Sequence, residues 1–291
     1  MLEIKGVSKG FGDKNILEGI HLTVNRGDIV GLLGKNGAGK TTLIKCINHL
    51  YQYKGEIKVS GIAYSQNPEQ YLRKVGILLE PSYYDYMSAM ENLRAYAALS
   101  GVPLKNIDGR LKELLDAIGL SNAMTKKVKE FSFGMKQKLG VAMALVKNPD
   151  VLVLDEPTIG VDPKGLDAMF AMIKTLAQKE NIAIIFSSNN LKEVQDISRK
   201  IAFLKDGKIV DTVDTNEMLN LDNTYAIHVK HPIAEKIKDL ISDAGKCLVD
   251  ATTIQVENYE SLNKILRILL DCDNPIMDIE RENKFLRNFY E

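Results

Sequence analysis

Apolar positions change their spacing along the chain, and the changes divide it. In the first 60 residues the runs LEIKGV, IHLTV, DIVGLL and EIKVSG are rich in Ile, Val and Leu. Gly, Asn and Asp break them, which predicts short strands. Between the third and fourth runs lies GKNGAGKTTLIKCINHL, a glycine turn leading into a helix. KVGILLE at 74–80 predicts another buried strand. From about 88 to 148 the spacing becomes helical. AMENLRAYAALSG, NIDGRLKELLDAIGL and GMKQKLGVAMALVKN predict an insert of three helices, the last long and amphipathic. From 151 the alternation of strand and helix resumes with VLVLDE, a helix after Pro163, IAIIFSS, a short helix near Leu191, and KIAFLKDGKIVDT. Asp206-Gly207 between two apolar runs predicts a hairpin. Buried strands alternating with helices imply an α/β core with a mostly parallel sheet.

After about residue 222 the pattern resets. YAIHVK, a helix at 233–243, KCLV, TIQVE, a helix at 260–271 and MDIERE read as β-α-β-β-α-β, the order of a small ferredoxin-like α+β unit. The expected organisation is a first domain over 1–221, with its helical subdomain at about 88–148, and an accessory domain over 222–291. The second carries no glycine loop and no cluster of catalytic residue types.

Composition narrows the classes. The chain has 291 residues, 38 basic and 38 acidic, and 45% are hydrophobic. That hydrophobic content argues against disorder. The balanced charge argues against a nucleic-acid partner, which selects a net positive face. No apolar run approaches the roughly 18 residues that a membrane-spanning helix needs. The start, MLEIKGVSKGF, lacks the features of a secretory leader. Cys46, Cys247 and Cys272 have no metal-ligand spacing and read as reduced cytosolic thiols.

The chemistry concentrates in three short segments. Residues 34–41 satisfy G-x-x-x-x-G-K-[ST] between a predicted strand and a predicted helix. Gly34, Gly37 and Gly39, with Asn36 and Ala38 between them, let the backbone turn so that successive amides face one phosphate. The helix start adds positive potential. Lys40 is placed to reach the β- and γ-phosphates, Thr41 to ligate Mg²⁺, and Thr42 to touch the α-phosphate. In the second segment, VLVLDE, an apolar strand ends in two acids. Asp155 is placed to hold Mg²⁺ through water, and Glu156 to orient or deprotonate an attacking water. The third, FSFGMKQK, opens a helix with Ser132 and Gly134, a second amide-lined anion site. One nucleotide does not need two such helix starts. They make sense if two chains pair head to tail, each offering this helix to the other's ATP.

Over roughly residues 2–215 these segments resemble the nucleotide-binding subunit of an ABC transporter. The resemblance implies a P-loop ATPase core with an antiparallel β-subdomain and a helical insert. It implies ATP and Mg²⁺ as ligands. It implies a second ATPase subunit and a separate transmembrane permease as partners, with the chain on the cytoplasmic face of the membrane. By position, Phe11 matches the aromatic that stacks on adenine, Ser132 and Gly134 the signature motif, and Asp162 the loop that meets the partner subunit. Two positions depart from the family. Where it usually has Gln, a further Mg²⁺-side residue, this chain has Glu80. Where it has a catalytic-site His, FSSNN supplies Asn189, which hydrogen-bonds but does not titrate. Asn189 is either a working substitute or a tolerated change. Tyr83, Tyr84, Tyr86 and Met87 either pack the insert or line a groove for a permease helix. The accessory domain is either a lid or a binding module. The signature variant, Glu80 and the accessory domain resemble ATPases of Gram-positive exporters of bacitracin, lantibiotics and amphipathic peptides. The expected function is the motor of such an exporter. The alternative is a low-turnover regulatory or non-transport ABC ATPase.

Overall fold

The computed structural model describes residues 1–215, 223–244, 247–257, 259–272 and 274–283. The chain divides into two units, Met1–Thr215 and Asn216–Glu291. The boundary expected at 221/222 falls on residues outside the described ones.

In the first unit, β1 (Leu2–Phe11), β2 (Lys14–Val24), β4 (Lys54–Val59) and β5 (Ile62–Ala63) form an antiparallel sheet in the order β2-β1-β4-β5. The sequence reading expects separate short strands here. The structure instead has one long hairpin, with Phe11 opposite Lys14 across a Gly12-Asp13 turn. Register shifts between Ile4 and Val7, and again between Val7 and Lys9, disturb the alternation that would reveal a continuous strand.

A second sheet has β3 (Ile29–Leu33), β6 (Val75–Leu78), β7 (Val151–Asp155), β8 (Ala183–Ser188), β9 (Lys200–Lys205) and β10 (Lys208–Asp214), in the order β10-β9-β3-β8-β7-β6. All pairs are parallel except β9 with β10. β8 is buried at every position, and so is β7 up to Asp155, which is why both read as unbroken apolar runs. The β9–β10 turn is Asp206-Gly207 with both residues at positive φ, the conformation expected of a two-residue hairpin. Its tip is tied down on both sides. Gly207 N–H donates to the Ala38 carbonyl, and Glu18 N–H donates to the Gly207 carbonyl. A Cβ on Gly207 would lie 2.3 Å from the Ile16 carbonyl oxygen, so the contact requires glycine.

Helices α1 (Lys40–Ile47), α2 (Pro68–Arg73), α6 (Pro163–Glu180) and α7 (Leu191–Ile197) connect the strands, and α3 (Ala89–Leu99), α4 (Asp108–Ala117) and α5 (Phe133–Leu145) form the insert. α3 begins with a reciprocal cap between Ser88 and Glu91. α5 corrects an expectation. Every residue from 139 to 145 is buried, while 132–138 are not. Its polarity runs along the axis rather than around it, so the helix is not amphipathic. It enters the core end-on, and a Cβ at Gly140 would come within 2.6 Å of Leu78.

The second unit has β11 (Asn223–Val229), α8 (Glu235–Ala244), β12 (Cys247–Val249), β13 (Thr253–Val256), α9 (Tyr259–Asp271) and β14 (Ile276–Asn283). The sheet is antiparallel in the order β12-β13-β11-β14, the split βαβ arrangement that the pattern predicts. Ile227, Ile241, Ile254, Val256, Ile265 and Leu269 belong to its own core. No helix among the described residues is long and apolar enough to cross a membrane.

Candidate functional site

The C-terminal edge of the parallel sheet collects the first group of expected residues. β3 ends in the glycine loop that opens α1. Gly34 is required by packing, since a Cβ there would stand 2.6 Å from the Leu204 carbonyl oxygen. Gly39 caps α1 in the left-handed region, brings no capping side chain, and is followed by no acid in the first turn. The first amides of α1 therefore face outward with the positive end of the helix dipole and no competing side-chain acceptor. Lys40 is only 5% exposed. Its Nζ donates to the carbonyls of Gly34 at 2.6 Å and Lys35 at 3.3 Å, and pairs with Glu156 at 3.3 Å. A buried ammonium needs such partners. They hold it at the mouth of the loop.

Strand register brings the acids to this cation. Asp155 ends β7 directly opposite Ser187 of β8. Thr41 Oγ1 donates to Asp155 Oδ2 at 2.8 Å, and Ser187 Oγ donates to Oδ1 at 2.6 Å. Ser187 Oγ in turn accepts from Glu156 N–H at 2.9 Å. Glu156 has φ of 44°, a left-handed conformation uncommon for a side chain of this type. Asn189 lies just beyond β8, and its amide donates to Asn36 Oδ1 at 3.3 Å. Residues 34–41, Asp155, Glu156 and Asn189 thus form one cluster, and Thr42 follows on α1. Ser187 is a member that sequence reasoning missed. The only signal was a hydroxyl closing an apolar run two residues before Asn189.

Phe11 sits at the turn of the long hairpin. Its ring is 46% exposed, meets Tyr51 edge-on at 5.1 Å, and carries Lys9 Nζ 4.6 Å from its centroid. The same hairpin reaches the glycine loop, where a Cβ on Gly39 would meet Leu17 at 2.8 Å.

Ser132, Gly134 and Asp162 form a second group. Ser132 Oγ accepts from Met135 N–H at 3.3 Å and caps α5. Gly134 lies against Val161, and Gly160 lies beneath the Phe133 ring, so the start of α5 rests on the loop at 160–162. Asp162 caps α6 through Gly165 N–H at 2.6 Å. Phe133 and Ile159 are 50% and 57% exposed, an apolar rim to this face.

Glu80 stands apart from both groups by its contacts, though not by topology. β6 and β7 run parallel with Leu78 opposite Leu154, so Glu80 leaves the same sheet edge as Glu156. It shares the left-handed conformation, with φ of 43°. Glu80 lines a groove of about 380 Å³ with Leu79, Pro81, Tyr83, Tyr84 and Tyr96. The tyrosines there divide. Tyr83 donates to the Lys136 carbonyl on α5 at 2.6 Å, and burial pushes its phenol well above the ordinary value. Tyr84 and Tyr86 remain exposed. Tyr83 thus both packs against the insert and lines the groove, and Tyr84 lines it from the exposed side.

Residues 17–159 match the family described as ABC transporter. An uncharacterized ABC transporter ATP-binding protein of Bacillus subtilis (strain 168), YdbJ, is 40% identical over 211 residues, 72% of this chain and 68% of the relative. The bacitracin transport ATP-binding protein BcrA of Bacillus licheniformis is 34% identical over 227 residues, 77% of this chain and 73% of the relative. The lantibiotic transport ATP-binding protein SrtF of Streptococcus pyogenes is 34% identical, covering 77% of this chain and 96% of the relative. A solved structure of the ATP-binding subunit of an ABC transporter superposes with a TM-score of 0.66 at 29% identity, over 76% of this chain and 92% of that one. The chain belongs to the ABC transporter family, as one of its ATP-binding, ATP-hydrolysing subunits. These names favour transport over the regulatory or non-transport alternative.

Proposed function

We propose that this chain powers export of a membrane-active peptide or drug through a separate permease at the cytoplasmic face of the membrane. The names of relatives 34% identical to it support the cargo class. The catalytic reading rests on one observation, the cluster in which Lys40, Thr41, Asp155, Ser187 and Glu156 are joined by direct contacts. The residues fit Mg²⁺·ATP. Bare amides and a buried cation suit a polyphosphate. A hydroxyl and a carboxylate 2.8 Å apart suit a hard cation that prefers oxygen. Mg²⁺ held by Thr41 and Asp155 would neutralise charge between the β- and γ-phosphates.

The chain's own residues then divide the work. The amides of 37–42 and Lys40 orient the phosphates and balance their charge. Phe11, half exposed at the hairpin turn, stacks on the adenine. Glu156 orients and deprotonates the attacking water, and Asn189 donates an amide hydrogen bond to the terminal phosphate. Ser132, Gly134 and Asp162 face the nucleotide of a second subunit, identical or closely related, docked head to tail. The groove beside Glu80 receives a permease helix, and Glu80 senses its presence. Glu156→Gln in the complex with the permease tests the assignment. Turnover falls at least about 100-fold while ATP binding persists. Retained turnover overturns it.

A further inference from the structure

Beyond the cluster that faces the phosphates, one carboxylate ties together the two segments that carry Glu156 and Asn189. Glu193 lies in the first turn of α7. Its Oε2 accepts from Thr158 Oγ1 at 2.7 Å and from Ser188 Oγ at 2.8 Å. Its Oε1 accepts from Asn190 Nδ2 at 3.4 Å. Ser188 Oγ also accepts from Asn190 N–H at 3.0 Å. Thr158 and Ser188 are 6% and 3% exposed, so their hydroxyls depend on partners within the protein.

The placement of the three partners gives this clamp its meaning. Thr158 is two residues past Glu156, and the loop between them is closed by Ile159 N–H donating to the Glu156 carbonyl. It continues through Val161, whose N–H donates to the Thr158 carbonyl, to Asp162. Ser188 immediately precedes Asn189. Together with the bond from Glu156 N–H to Ser187 Oγ, this carboxylate therefore sets the separation between the two segments whose groups are assigned to one phosphate. It also anchors the root of the loop on which the start of α5 rests. The strand register alone does not do this, because Asp155 is the last paired residue of β7.

We propose that Glu193 is a positioning residue for ATP hydrolysis. It locks the Thr158 loop to the end of β8, so that the Glu156 carboxylate and the Asn189 amide address the terminal phosphate together. The proposal rests on the ATPase reading of the site. Since Glu193 is bonded to Thr158, Ser188 and Asn190, its loss loosens catalytic alignment and leaves the phosphate cradle around Lys40 intact.

The test is steady-state turnover and ATP binding of the full chain with its permease, for wild type, Glu156→Gln, Glu193→Ala, Glu193→Gln, Thr158→Val and the double variant Thr158→Val/Glu193→Ala. Misplacing a catalytic group by about an ångström costs roughly 10- to 100-fold in rate. Glu193→Ala should lower kcat within that range and change KM by less than about two-fold. Glu193→Gln should recover most of the loss, because its carbonyl oxygen can accept both hydroxyl bonds. The double variant should be no slower than Glu193→Ala, since both changes cut the same link. Unchanged kcat in Glu193→Ala overturns the clamp while the ATPase reading stands. So does a Glu193→Gln variant as slow as Glu193→Ala, or losses that multiply in the double variant. Wild-type turnover no higher than that of Glu156→Gln overturns the ATPase reading, and the clamp with it.

Discussion

The two ends of the parallel sheet handle charge in opposite ways. At the N-terminal end, Asp150 stands just before β7 and is saturated. Lys74 reaches it at 2.6 Å, Ser60 at 2.7 Å and Arg26 at 2.8 Å. Burial works against its ionisation, but the bonds from Lys74 and Ser60 and the charges of Lys74 and Arg26 outweigh it and hold the carboxyl at about 2. At the C-terminal end of the same strand, the Lys40–Glu156 pair and the Asn189–Asn36 bond are each 3.3 Å long. Glu156 is held in a left-handed conformation, and the amides of α1 have no side-chain acceptor. Short, completed contacts at one end stabilise the fold. At the other end short bonds also fix Lys40 and Asp155, but the longer Lys40–Glu156 and Asn189–Asn36 contacts and the uncapped amides of α1 leave groups that a polyanion can recruit. Two acids five residues apart in one segment thus meet different partners, Asp150 the groups of Lys74, Ser60 and Arg26, and Asp155 the hydroxyls of Thr41 and Ser187 beside the glycine loop.

The sharpest way to break this contrast is Lys40→Met, which keeps most of the stem and removes the charge. Loss of one preorganised cation at the phosphates should cut ATP turnover at least about 100-fold. The thermal midpoint of the full chain should stay within a few degrees of wild type, because an expensive buried ammonium goes with its bonds. A large drop in midpoint would place Lys40 among the structural charges and erase the distinction between the two ends.

The converse test is Asp150→Asn. The folded pKa lies below the unfolded value of about 3.8, so its stabilisation is complete above pH 4 and is lost as pH falls from about 4 to 2. A depression of this size corresponds to about 2 kcal/mol at neutral pH. Denaturant unfolding at pH 7 should show a loss of that order in the variant. The gap between variant and wild type should close as the pH approaches 2. Turnover per folded molecule should not change. A fall in kcat with stability intact would reverse the roles assigned to the two ends.

The ends also differ in how legible they are in the sequence. The glycine loop and the VLVLDE strand are contiguous patterns whose spacing encodes their geometry, so Lys40, Thr41, Asp155 and Glu156 could be singled out from composition and order. Asp150 could not, because Arg26, Ser60 and Lys74 come from three distant segments. Ser187 and Glu193 escaped for a related reason. Their significance lies in strand register and in a bond from α7 to the loop after β7, neither of which leaves a local signature. The β1–β2 hairpin was obscured by bulges that break the two-residue period. α5 departs from its expectation because apolar residues at helical spacing do not distinguish a helix buried on one side from one buried at one end. The second unit was read element for element, since its strands and helices carry clean periods and its core is its own.

The smallest effect sharpens the contrast most finely, and it concerns Asn189. The C-terminal end is polar at this position without being titratable near neutrality. Of the histidines in the first unit, His21 lies on β2 and His49 stacks on Tyr64, and neither has a contact with the cluster. Asn189→Ala should lower kcat by only a few-fold, since one neutral hydrogen bond is worth about 1 kcal/mol. Asn189→His replaces the amide with a group whose ordinary pKa is about 6.5. In kcat profiles between pH 6 and 8, wild type should show no limb from this position, and Asn189→His should add one centred near pH 6.5. The variant, not the wild type, then carries proton linkage at the site. A wild-type limb already present near pH 6.5 would mean that another group at this end titrates in the working range. The contrast drawn between the two ends would then need redrawing.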